Sequence, residues 1–163
     1  MTAVDLSWLL SPLTRTEQGR TVAALVKVTP GHHADLVVLA WELSSLANHA
    51  GWQRDTRTRL AASRAAVDVI REAASAKPSE PQHRQDLVYL LANLGHALTN
   101  EGRPATAVRV LDEAIDLQRL ILASGTAPEH EARQTLASLF EDRDRALQED
   151  LLKQPPPPDA RFA

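Results

Sequence analysis

The chain has 163 residues, 18 Lys and Arg against 21 Asp and Glu, a net charge of −3 and no cysteine. This length fits one domain that buries about 70% of its extended surface, enough for a core without covalent staples. Without cysteine there is no disulfide framework and no thiol nucleophile, and the mild acidity argues against a nucleic-acid or anionic-membrane binder, which carries excess base.

In chain order, Met1 to Leu13 is a short apolar piece closed by Ser11-Pro12. Asp5 stands where a signal peptide carries basic residues, and no apolar run approaches the roughly 20 residues that cross a bilayer. The expected location is the cytoplasm. Thr14 to Val28 is expected to be helical, with Val22, Leu25 and Val26 inward and Thr29-Pro30-Gly31 as its stop. Residues 1–28 together read as an N-terminal capping segment.

From Pro30 the chain repeats. Shifted by 51 residues, Pro30 to Gly51 lies without gaps on Pro81 to Gly102, pairing Pro30 with Pro81, His32 with His83, Asp35 with Asp86, Leu36 with Leu87, Val37 with Val88, Leu39 with Leu90, Leu43 with Leu94 and Gly51 with Gly102. A third, weaker copy starts at Pro128 and His130. Ser79 to Gln82 and Thr126 to Glu129 read as capping boxes, in which a hydroxyl residue and a Glu or Gln three later cover free N–H groups. Each copy opens a long helix, at about His32 to Ala50, Gln82 to Glu101 and Ala127 to Leu152, and partner helices fall at Gln53 to Ala76 and Pro104 to Ala123.

The clearest stretch is Gln82 to Leu122. Leu87, Leu90, Leu91, Leu94 and Leu98 recur at three- and four-residue steps and so share one helical face, as do Ala107, Leu111, Ala114 and Ile115 on the next helix. Gly102 supplies a left-handed helix end and Pro104 suits a helical first turn. Leu94-Gly95 and Leu98, then Gly102, then Ala107, Leu111 and Ala114 stand at the offsets of a tetratricopeptide repeat, a family that this hairpin resembles. The resemblance implies an all-α, right-handed stack of antiparallel helix hairpins, a tetratricopeptide-like α-solenoid. About six main helices are expected, Thr14 to Val28 included, within a domain of residues 1–152 whose repeats span about 30–76, 81–123 and 128–152. Repeat spacings of 51 and 47 exceed the usual 34 and place the likeness with the longer-repeat members. Residues 153–163, with four consecutive prolines, are expected to form a disordered tail.

The same resemblance implies that the first helix of each unit lines a concave face that binds a peptide or helix of another protein. Opposite the leucine stripes this face would carry Trp41, Glu42, Ser45, His49, Tyr89, Asn93, His96 and Asn100, a mixed aromatic and amide surface. The third copy would add Gln134, Ala137, Ser138, Glu141 and Arg145. Ala92 and His96 stand where a carboxylate clamp wants basic and amide groups, so a clamp is not expected.

Catalytic patterns are absent from the sequence: no Gly-rich phosphate loop and no nucleophile elbow. His33, Glu42 and His49 lie nine and seven apart, not at the three- or four-residue step of a helical metal pair, and His32, His83 and His130 recur because they open each repeat. No metal, cofactor or enzyme activity is expected. The acidic residues from Glu129 to Asp144 interleave with Arg133, Arg143 and Arg145, the pattern of an ion-paired surface, and Arg57, Arg64 and Arg71 are expected to be neutralised likewise. The expected role is therefore an adaptor, scaffold or regulatory subunit, with no nucleic acid and no membrane as partner. The alternatives are a homodimer that closes the concave face, or a small helical enzyme or ligand-binding protein of a biosynthetic or defence cluster with His49 and His96 in a pocket. High alanine and arginine with few lysines suits a GC-rich bacterial genome.

Overall fold

A computed structural model describes residues 33–153, with side chains from Leu36 onward. The expected helix over Thr14 to Val28, the capping segment and the proline-rich tail lie outside the described residues. Among those described the protein is all-α, with five helices and no strand: α1 (His33–Trp52), α2 (Thr56–Ala76), α3 (Pro81–Asn100), α4 (Pro104–Ser124) and α5 (Glu129–Lys153).

Short connections force sequential helices to run antiparallel, and each packs on the next in chain order. In addition α3 touches α5 directly. One apolar core passes through all five helices, built from the leucine and alanine stripes: Leu39, Leu43, Leu90, Leu91, Leu98 and Leu111 are all nearly sealed from solvent. The 51-residue register holds for this core, because Leu36 and Leu87, Leu39 and Leu90, and Leu43 and Leu94 are buried in pairs.

The helix ends follow local chemistry. Pro81 and Pro104 occupy the first turns of α3 and α4, where an N–H has no intrahelical acceptor to lose. Asp55 caps α2, its carboxylate accepting the Thr58 N–H at 3.1 Å. After α3, Gly102 at φ 69° lets its own N–H reach the Thr99 carbonyl and the Arg103 N–H reach that of Leu98, both at 2.9 Å. This pair of bonds is a Schellman closure.

Two local expectations are corrected. The first helix is expected to end at about Ala50 and its partner to start at Gln53, but α1 runs on through Gly51 to Trp52 and α2 starts at Thr56. The chain reverses at Arg54, whose φ of 57° allows the same closure, Arg54 to the Gly51 carbonyl at 3.1 Å and Asp55 to that of Ala50 at 2.9 Å. The capping boxes do not form either: Glu80, not Ser79, is the N-cap of α3 and makes no side-chain cap bond, while the Thr126 hydroxyl meets that of Ser124 at 2.9 Å. A proline in the first turn of α3 already fixes the entry that a box would have fixed.

The face of α5 turned to α4 buries Ala132, Leu139 and Ala146 at seven-residue steps. Three polar contacts hold it there. The buried Gln118 of α4 donates its amide to the Ala132 carbonyl at 3.1 Å, Arg143 donates Nε to Asp112, and the Arg119 guanidinium lies 5.5 Å over the Phe140 ring. The acidic stretch of α5 is ion-paired as expected, with Arg133 on Glu129 and Arg145 at 3.6 Å from Asp142. On α2, Arg71 grips Glu113 of α4 through both carboxylate oxygens, at 2.6 and 2.7 Å.

Candidate recognition groove

Because α3 and α5 meet along only part of their length, a groove of about 490 Å³ opens between them. Its walls come from Gln85 to His96 on α3 and from Glu131 to Asp142 on α5, and Gln118 and Ile121 of α4 form the base. The buried Val88, Ile121 and Leu139 give it an apolar floor, while Glu131, Thr135 and Ser138 make a polar rim.

The Tyr89 ring stands on the α3 wall, about half exposed, and packs on Trp41 of α1 with centroids 5.3 Å apart at 37°. Tilted pairs of this kind are favourable beyond the area they bury, and here the pair extends the groove toward α1 as an apolar step. Val38, one turn before Trp41, is also exposed. Among the described residues these three are the large apolar side chains that α1 and the groove wall leave open to solvent, apart from Trp52 at the tip of the hairpin.

At one end of the groove a histidine and a carboxylate meet. His96 Nε2 lies 2.7 Å from Oδ2 of Asp142, but the carboxylate is off the direction of the ring N–H, so the two attract by charge when the imidazole is protonated rather than through an aligned hydrogen bond. Asp142 is largely sheltered, 12% exposed at its side chain, and Arg145 approaches its other oxygen. Asn93 turns its amide nitrogen into the wall, where it is buried and meets no acceptor.

Of the eight residues expected on a concave face, Tyr89, Asn93 and His96 line this groove and Trp41 joins it through the ring contact. The other four do not line it. Glu42 and Ser45 lie along α1, His49 bonds the Gln53 amide at 2.9 Å and sets its ring edge-on to Trp52, and Asn100 is exposed as the last residue of α3. From the third copy Gln134 and Ser138 line it and Ala137, Glu141 and Arg145 do not. Sequence reasoning missed Gln85, Glu131, Thr135 and Asp142. The last three, with Ser138, form a stripe at steps of four, three and four that a helical-face reading of α5 could have found.

A wider depression of about 620 Å³ lies between α2, α4 and Leu87, lined by Arg71, Glu113 and Leu120 among others. Its Arg71 is spent on Glu113, its Asp116 is paired with Arg119, and it holds no aromatic ring, so the α3/α5 groove is the better candidate. Among the described residues no three His, Asp or Glu side chains converge as metal ligands, and no helix is long and apolar enough to cross a membrane.

Compared with protein-family models, curated proteins and solved structures, the chain matches none of them.

Proposed function

We propose that this chain is a tetratricopeptide-like solenoid, a right-handed stack of about six helices when Thr14 to Val28 is counted, and that it works as a protein–protein recognition module. In this role α1, α3 and α5 present a concave face to a peptide or helix of another protein, and the module acts as an adaptor, scaffold or regulatory subunit without chemistry of its own. The observation that carries this proposal is the continuity of the exposed Trp41/Tyr89 pair with the α3/α5 groove, since exposed aromatics beside an apolar cleft are the usual anchors of an interface. The order of packing supports it too, because neighbour-on-neighbour helices sharing one core are what a stack of hairpins requires.

Affinity capture from the source organism's lysate tests this with Trp41→Ala/Tyr89→Ala, two changes at exposed positions that leave the leucine stripe intact. At least one protein should be retained by the wild type and lost from the variant, which should melt within a few degrees of the wild type. Equal capture by both would remove the groove from the proposal. A wild-type dimer in sedimentation that the variant abolishes would instead make this face a self-association surface.

A further inference from the structure

The charges around the groove restrict what it can hold. Its acidic lining residues are Glu131 and Asp142, His96 stands with them, and no lysine or arginine lines it. Of the α5 arginines, Arg133 pairs with Glu129 and Arg143 with Asp112, while Arg145 lies 3.6 Å from Asp142 without lining the groove itself. Glu131 is mostly exposed and lies 3.8 Å from the still more exposed His130, a loose contact. One wall therefore offers carboxylates and the other an aromatic ring, with apolar side chains below.

Resting on the recognition role proposed above, we infer that the groove takes a basic segment of another protein, one that stacks an arginine on Tyr89 within reach of Glu131, brings a second cation to Asp142 about three turns further along α5, and seats an apolar side chain on the floor of Val88, Ile121 and Leu139. Arginine suits this site better than lysine because its planar guanidinium stacks on a ring while its fork of N–H groups engages a carboxylate.

Selection of a random-peptide phage library on the full chain tests the inference, with the recovered peptides synthesised, labelled and titrated by fluorescence polarisation at low and high salt. The expected result is enrichment of arginine next to apolar residues. Binding should weaken about tenfold in Glu131→Gln and in Asp142→Asn, fall with salt, and be lost in Tyr89→Ala. Glu131→Gln changes an exposed side chain, so it keeps the test sharp even if Asp142→Asn unfolds. Peptides that need Tyr89 but show no basic preference, or bind Glu131→Gln as well as wild type, overturn the inference and leave the recognition groove standing. If no peptide depends on Tyr89, the groove reading itself falls, and this inference with it.

Discussion

Hairpin α1/α2 and hairpin α3/α4 have the same dimensions, 20 and 21 residues joined by three, yet they are closed by different means. In the second, Gly95 is so near α4 that a Cβ there would stand 2.7 Å from Cγ of the fully buried Leu111. At the same place in the repeat the first hairpin has Ser44, also buried, and the buried face of α2 sets Ala62, Ser63, Ala65, Ala66 and Ala73 around Val67, Val69 and Ile70. The first hairpin spreads close approach over many small residues; the second concentrates it in one glycine and one leucine. Their turns differ in the same sense. A glycine takes the left-handed position after α3, and an arginine takes it after α1.

The largest test of this difference is Gly95→Val. The contact it would violate is with the branch carbon of a sealed leucine, not with the end of a flexible chain, so α3 and α4 must separate. Overpacking of this kind costs about 3 kcal/mol, which urea denaturation would read as a lower midpoint. Leu111→Ala alone should also cost about 3 kcal/mol through its cavity. Combined, the two changes should cost at least about 1 kcal/mol less than their sum, because each makes room for the other. Strict additivity in that cycle would mean that Gly95 and Leu111 do not share the space ascribed to them.

A smaller effect is expected at the second turn. Gly102→Ala places a Cβ in the left-handed region, where L residues are disfavoured by about 1 to 2 kcal/mol. Among the described residues the only side-chain atom crowding that Cβ is Nζ of Lys153, which can swing away, so the loss should be backbone strain alone, about 1 kcal/mol after the gain from a stiffer unfolded chain. Melting followed by circular dichroism should fall by about 2 to 4 °C. An unchanged midpoint would show that the turn relaxes to another closure.

These sites also mark how far the residues alone could be read. The leucine stripes and the 51-residue register were legible because burial at three- and four-residue steps is written in side-chain type, and every leucine of the α3 stripe is buried. The turn after α1 was not. Gly51 and Gly102 are the same letter at the same offset, but in the first hairpin Asp55 caps α2 and its N–H closes on Ala50, which moves the reversal three residues on. Such a choice depends on which backbone carbonyls find donors, and composition does not record it. The groove was half legible for a related reason. Tyr89, Asn93 and His96 follow from the face of α3 opposite its leucines, whereas Asp142 was read as one more member of an ion-paired surface. Only the crossing of α5 over α3 brings that carboxylate to His96.

The first turn offers the smallest and most discriminating change. Arg54 is exposed and holds φ 57°, so a side chain sits in the left-handed region, and among the described residues only backbone bonds keep it there. Arg54→Gly relieves that strain, worth about 1 kcal/mol, and gives back part of it because glycine loosens the unfolded chain. A net gain on the order of 0.5 kcal/mol should remain, and a rise of about 1 to 2 °C in melting temperature. The sign matters more than the size: at Gly102 and at Arg54 the same exchange between glycine and a larger residue should move stability in opposite directions, one down and one up. If both substitutions destabilise, the two turns are not equivalent closures, and the Arg54 side chain must contribute something that its exposure does not suggest.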